Sequence, residues 1–269
     1  MKNRDVAYMA GLMDTDGTLG IYYKGVSGYQ VSIEFYNDDK PLMEWVVDRF
    51  GGTFRAKKDP RRTTIGYRWS PQGRKNCCEF LNDIIPYLVL KKQEAGIVLE
   101  FFGIVGENPE LRKRLALDCR RLKGTRSIVE TDMLESLFKS KPNLAQAYVA
   151  GLIDGDGNVD TYENSVSIGF TNMCLSLVDF LINSYGGGKY RCKPTTWRWQ
   201  LGSVKYQENF LLKVVPYLRI KRERAALSLI FLRDKIQNAG KFGRPFNELM
   251  IQPELTGDCE SELEGTLVS

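Results

Sequence analysis

The stretch AYMAGLMDTDGTLG, Ala7 to Gly20, returns later in the chain as AYVAGLIDGDGNVD, Ala147 to Asp160. At a constant offset of 140 residues it pairs Ala7/Ala147, Tyr8/Tyr148, Ala10/Ala150, Gly11/Gly151, Leu12/Leu152, Asp14/Asp154, Asp16/Asp156 and Gly17/Gly157. VSIEFYN (Val31 to Asn37) then matches VSIGFTN (Val166 to Asn172) at an offset of 135. At 130 the pairs are Arg68/Arg198, Trp69/Trp199, Phe80/Phe210, Pro86/Pro216, Tyr87/Tyr217, Leu88/Leu218 and Lys91/Lys221. The offset falls in steps of five, as it does when hairpin loops shorten. The chain is a duplication. Its organisation is a first repeat over 1–105, a basic joining segment over 106–142, a second repeat over 143–240 and a partly acidic tail over 241–269.

The same order of elements is expected in each copy. An amphipathic helix ends at the Asp-x-Asp-Gly, and two alternating strands follow. A helix then runs from about Lys40, or Cys174, to a Gly pair. Two more strands, a helix ending at Pro86 or Pro216, and a final helix through Phe101 or Phe231 complete an α+β unit of the αββαββα kind. In the second strand Val31, Ile33 and Phe35 alternate with Gln30, Ser32, Glu34 and Tyr36, so one face of an antiparallel sheet is core and the other polar. Arg55 and Lys57, or Lys189, Arg191 and Lys193, are expected on that polar face, with Arg68 or Arg198 beside them. Any half-exposed sheet shows polar residues outward, but recurrence of basic positions in both copies favours two matched surfaces able to track a DNA groove.

Composition narrows the chemistry. Among 269 residues there is no histidine, which removes His-based triads, bases and metal ligands. The six cysteines form no C-x-x-C, so they are expected as free thiols in a reducing intracellular compartment, a bacterial or archaeal cytoplasm or an organelle. Neither a signal peptide nor a membrane span is expected. Net charge is +5, but six acidic residues follow Arg244, and residues 1–244 carry +11, which suits a polyanionic partner. The joining segment adds Arg112, Lys113, Arg114, Arg120, Arg121, Lys123 and Arg126 on an expected helix, which either contacts a nucleic-acid backbone or is a solvated charged face.

The Asp-x-Asp-Gly has several possible meanings. Gly17 and Gly157 stand where a helix ends in a left-handed residue, and Asp-Gly is an ordinary turn pair. That leaves the acids unexplained, because the C-terminal end of a helix is its negative pole and Asp14 and Asp16 sit there in both copies. Something cationic should offset them. A calcium loop would place its Gly and Glu elsewhere. DTDGTL (Asp14 to Leu19) is similar to the nucleophile motif of haloacid-dehalogenase-like phosphatases, but that motif follows an apolar strand, and here a helix is expected.

MAGLMDTDG (Met9 to Gly17) and VAGLIDGDG (Val149 to Gly157), each followed by the same element order and by PYLVLK or PYLRIK, resemble the LAGLIDADG homing endonucleases in their single-chain form. The resemblance covers residues 5 to about 238. It implies two signature helices packed at a pseudo-twofold axis by Ala10, Gly11, Ala150 and Gly151, and a monomer that cuts both strands of a long asymmetric duplex, leaving short 3′ overhangs. It makes Asp16 and Asp156 the metal ligands, for Mg²⁺ with Mn²⁺ substituting and Ca²⁺ supporting binding without cleavage. It places Lys91 and Lys221 near the scissile phosphates and Asn37 and Asn172 where solvent is oriented, while Asp14 and Asp154 fix the helix ends. DNA contact is expected from Thr18, Tyr22, Lys24, Gln30, Ser32, Arg55, Lys57 and Arg68 in the first copy. In the second, Asn158, Asp160, Ser167, Lys189, Arg191, Lys193, Arg198 and Gln200 are expected to serve. Members of the family also act as maturases on their own intron RNA, against which the retained Asp16, Asp156, Lys91 and Lys221 favour cleavage; others are embedded in inteins, against which the lack of histidine favours a free-standing product.

Overall fold

The computed structural model describes residues 2–58, 64–106, 108–123 and 131–241. Arg126 and the tail beyond 241 lie outside these residues. The first repeat runs α1 (Asn3–Thr15), β1 (Gly17–Tyr23), β2 (Tyr29–Asn37), α2 (Lys40–Phe50), β3 (Thr53–Lys58), β4 (Ile65–Ser70), α3 (Arg74–Ile84) and α4 (Lys92–Gly103). Two helices follow, α5 (Pro109–Leu122) and α6 (Asp132–Ser140). The second repeat is α7 (Pro142–Asp156), β5 (Gly157–Tyr162), β6 (Ser165–Asn172), α8 (Leu175–Tyr185), β7 (Gly188–Lys193), β8 (Thr196–Leu201), α9 (Val204–Val214) and α10 (Arg222–Lys241). The two four-stranded antiparallel sheets have the matching orders β1-β2-β4-β3 and β5-β6-β8-β7. The final helix of each copy makes the full order αββαββαα, and α3 and α9 end two residues before Pro86 and Pro216. Helix α6 was not expected from the pattern.

The same physics repeats in each half. Trp69 and Trp199 are fully buried beneath their sheets, stacked edge-on against Phe80 and Phe210 at 5.0 and 5.3 Å. Each indole N–H must find an acceptor there, and each donates to a glycine carbonyl, Gly51 at 2.8 Å and Gly186 at 2.9 Å. Those glycines end α2 and α8 with φ of +66° and +79°, a conformation that a Cβ would strain.

Helices α1 and α7 are buried on nearly every side, from Val6 to Asp14 and from Leu144 to Asp154, because they form the seam between the halves. They touch at Gly11 and Gly151: a Cβ on Gly11 would lie 2.2 Å from the Tyr148 carbonyl oxygen, and one on Gly151 would lie 2.2 Å from that of Tyr8. The signature glycines Gly17 and Gly157 are not left-handed, contrary to the helix-stop expectation; Gly157 has φ −92° and opens β5. Space is the reason instead, since a Cβ at Gly17 would meet the Met13 carbonyl oxygen at 2.5 Å and one at Gly157 the Ile153 Cα at 2.7 Å.

Gly11→Ala should therefore push the two halves apart and lower unfolding stability by about 3 kcal/mol or more, measured by urea denaturation. Gly96→Ala on α4, where a Cβ meets nothing within 4 Å, serves as the control and should raise stability by about 0.5–1 kcal/mol. Equal effects of the two would refute the close-approach argument.

Candidate active site and nucleic-acid face

The first acid of each signature is consumed by structure. Asp14 accepts from the backbone N–H of Val89 at 2.8 Å and of Lys91 at 2.9 Å, and from the Tyr148 hydroxyl of the other half at 2.7 Å. Asp154 accepts from the backbone of Arg219 and Lys221 at 2.7 and 2.9 Å and from the Tyr8 hydroxyl at 2.7 Å. The two sets are reciprocal across the pseudo-twofold. Burial, then the facing aspartate, holds both phenols well above the usual tyrosine range, so they serve as donors. Tyr8 and Tyr148 recur in the sequence at the same offset as the acids, the one signal that could have revealed this role.

The lysines answer the electrostatic question at the helix ends. Lys91, almost fully buried, donates from Nζ to the carbonyls of Met13, Asp14 and Thr15 at 2.6, 2.7 and 3.2 Å. Lys221 donates to those of Ile153 and Asp154 at 2.8 and 2.6 Å. A cation on the last turn satisfies orphan carbonyls and offsets the negative pole. The ammonium groups expected beside the scissile phosphates are thus turned onto the signature helices. Burial lowers the Lys221 pKa, opposed first by Asp154 and then by Asp16.

Asp16 and Asp156 remain, within electrostatic range of one another. Burial first, and then the Asp156 charge, push Asp16 up to about 6, against the opposing pull of Asn37, Lys221 and Lys91. Burial likewise raises Asp156, opposed by Lys91, Lys221 and a hydrogen bond from Asn172. The asparagines are oriented from behind, because Oδ1 of Asn37 accepts from the Asp39 backbone at 2.9 Å and Oδ1 of Asn172 from that of Cys174 at 2.9 Å. The Asn37 amide must then aim Nδ2 at Asp16, at 3.3 Å. Each asparagine, expected to orient solvent, bonds the last signature aspartate of its own half. No group of three or more His, Cys, Asp or Glu side chains is assembled for a metal among the described residues. One carboxylate per half, ringed by cations and raised in pKa, fits a hard divalent cation that takes its remaining oxygens from phosphate and water.

Register decides which strand residues face outward. Tyr22/Gln30, Gly20/Ser32 and Thr18/Glu34 are cross-strand partners, as are Arg55/Arg68 and Lys57/Gly66, so the first-copy residues in these strands share the open face. Lys24 lies in the hairpin loop beyond β1. Tyr22 accepts a hydrogen bond from Lys123 at the end of α5, which brings the joining segment to this edge. In the second copy Asn158, Asp160, Ser167, Arg198 and Gln200 also face out. Lys189 and Arg191 do not. They pair with Trp199 and Trp197 on the helix side, and Lys189 is bonded to Asp179 of α8. Alternation alone could not choose the face, and a register shift between Arg191 and Lys193 returns only Lys193, opposite Thr196, to the open side. Tyr190, missed in the sequence, takes the place beside Arg198.

Arg219 was also missed. Its guanidinium lies 3.5 Å from the Trp45 ring centroid and donates to Asp5 at 3.0 Å, clamping the second repeat onto the first. A cleft of about 650 Å³ along this seam contains Trp45, Arg49 and Arg219 but neither Asp16 nor Asp156.

The raised pKa of Asp16 fixes a sign for stability. An acid that titrates near 6 when folded and near its ordinary value when unfolded favours folding fully below about 4, and loses that contribution as pH rises to about 6. In metal-free buffer, Asp16→Asn should gain on the unmutated protein between pH 5 and 7.5, reaching about 1–3 kcal/mol in thermal melts. An advantage that shrinks with rising pH would contradict the site electrostatics.

No family model matches the chain, and no curated protein matches it. Solved structures do. The meganuclease I-SmaMI bound to uncleavable DNA is similar at 17% identity with a TM-score of 0.62, covering 91% of this chain and 94% of that one. I-GzeII, a LAGLIDADG homing endonuclease in complex with its DNA target, gives 12% identity and a TM-score of 0.63 over 91% and 95% of the two chains. The LAGLIDADG meganuclease I-AabMI, bound to uncleaved DNA, gives 15% and 0.58 over 92% and 99%. I-SmaMI has also been solved on cleaved DNA and, on uncleaved target, in the presence of calcium ions. Over some nine-tenths of its length, this chain has the fold of the LAGLIDADG homing endonucleases in their single-chain, two-repeat form.

Proposed function

We propose that the protein is a site-specific, metal-dependent DNA endonuclease that makes a double-strand break in a long, asymmetric duplex target and leaves short 3′ overhangs. The observation that carries this is the pair Asp16 and Asp156, brought together at the seam and held by Asn37, Asn172, Lys91 and Lys221. The structural neighbours I-SmaMI, I-GzeII and I-AabMI, each solved with DNA, support the same reading. Two carboxylates related by a pseudo-twofold suit a substrate that carries its own approximate twofold.

Each residue then has a task. Asp16 and Asp156 would hold Mg²⁺, or Mn²⁺ in its place, which supplies Lewis-acid charge at the phosphates. Asn37 and Asn172 fix the carboxylate planes. Lys91 and Lys221 favour the ionised form of both aspartates and lock the ends of α1 and α7, so the acids stay aimed as the duplex binds. The two sheets grip DNA through unlike side chains: Arg68 bonded to Glu34 at 3.3 Å in one, Arg198 bonded to Asn158 at 2.8 Å in the other. Unlike grips favour an asymmetric site.

Selection from a randomised duplex library in Ca²⁺, followed by Mg²⁺ addition and end-mapping, tests the proposal. One long site should be enriched and cut on both strands, while Asp16→Asn binds but cuts at least about a hundredfold more slowly. Binding without cutting by the unmutated protein would overturn the nuclease reading. Palindromes built from either half-site should both bind more weakly than the selected sequence, and equal binding would overturn the asymmetric readout.

A further inference from the structure

The edge strands β1 and β5 are held in different ways. Helix α4 packs on β1 as its counterpart α10 packs on β5, but β1 is also covered by α5, which brings Lys123 to Tyr22. Along the contact of α10 with β5, Ser228 and Thr161 share a hydrogen bond of 2.7 Å, and Lys235 donates to the Asn164 carbonyl at 2.7 Å. Arg224 donates to Asp160 at 3.0 Å. Thr161 faces the helices and Asp160 the open side, so Arg224 reaches round the sheet edge to the nucleic-acid face. Its counterpart at the repeat offset of 130 is Glu94, which is buried, so this reach belongs to the second repeat alone. A cation in the first turn of α10 sits at the positive pole of that helix, and the Asp160 carboxylate compensates.

From Asp160 the bonding continues inward. Asn158 donates from Nδ2 to Asp160 at 3.0 Å, its shortest bond from that nitrogen, and at 3.2 and 3.3 Å to the Ser167 hydroxyl and carbonyl, so its Oδ1 points the other way and accepts from Arg198 Nη2 at 2.8 Å. Arg198 Nη1 is held in turn by the Thr171 hydroxyl at 3.4 Å. The guanidinium plane is set from two sides, and each terminal nitrogen, with two N–H groups, keeps one beyond these bonds; a planar guanidinium fork is the shape that pairs with O6 and N7 of guanine. In the first repeat Arg68 is held by the strand residues Glu34 and Tyr36.

We propose that Arg224 is a positioning residue for sequence readout: by holding Asp160 it fixes Asn158, and through Asn158 it sets Arg198 to read one guanine in the half-site bound by the second repeat. The inference rests on the DNA-binding function proposed above. It is tested by selection from randomised duplexes in Ca²⁺ with the unmutated protein and with Arg198→Ala, Arg224→Ala and Arg224→Lys, all checked for unchanged melting.

The unmutated protein and Arg224→Lys should prefer guanine at one position by about tenfold or more, and Arg198→Ala should lose that preference. Arg224→Ala should flatten the same position while the slope of log affinity against log salt stays unchanged, because no phosphate contact is lost. A uniform loss of affinity with the slope reduced by about one would make Arg224 a plain phosphate contact and overturn the proposal. So would an unchanged guanine preference in Arg224→Ala. If the unmutated protein selects no duplex at all, the endonuclease reading falls and this one with it.

Discussion

Everything in this molecule hangs on the contact between two helix backbones at Gly11 and Gly151. With no side chain at either position, α1 and α7 approach until a Cβ on one would collide with a carbonyl of the other. That distance lets the Tyr8 and Tyr148 hydroxyls cross the seam to Asp154 and Asp14. It also carries Asp16 and Asp156 into mutual electrostatic range. A bulkier helix pair could bury as much apolar surface, but it would separate the acids and leave buried hydroxyls without acceptors. Fold and site are therefore one constraint.

The same arrangement costs stability. Four carboxylates stand at the negative poles of two central helices, and burial works against ionising Asp14, Asp16 and Asp156. The compensation is local. Asp14 and Asp154 draw backbone N–H groups from the loops that carry Lys91 and Lys221, and those lysines return to the helix carbonyls. Each loop is thereby bound at both its backbone and its side chain, which makes it a rigid bracket. Asp16 and Asp156 receive less, an asparagine each, and burial holds both above the usual carboxylate range, as it does Asp14.

The halves are alike in core and unlike at their edges. Trp69 and Trp199 make the same bond and the same ring contact, as buried groups with one solution must. At the surface the repeats diverge: α5 joins α4 on β1, α10 braces β5, and Arg219 replaces Val89 to stack on Trp45. Duplication supplied a symmetric seam with one acid from each copy at its exposed end, and divergence at the edges supplied two unlike sheet faces.

The sequence by itself determined the duplication, the order of elements, the two central helices and the identity of the paired acids, because repeats and hydrophobic period are local properties of the chain. It also located Lys91 and Lys221, though not what their ammonium groups touch, since a carbonyl acceptor leaves no mark in a motif. Strand faces were half legible. Alternation separated two sets of residues in β7 but could not say which set was outward, because strand register depends on pairing with β8, and Lys189 and Arg191 came out on the helix side. Helix α6, the Tyr8–Asp154 and Tyr148–Asp14 bonds and the reach of Arg224 to Asp160 involve groups far apart in the chain or outside any repeat. Only tertiary packing, within a repeat or between the two, decides them, since hydrogen bonds between distant segments are fixed by geometry that no local pattern encodes.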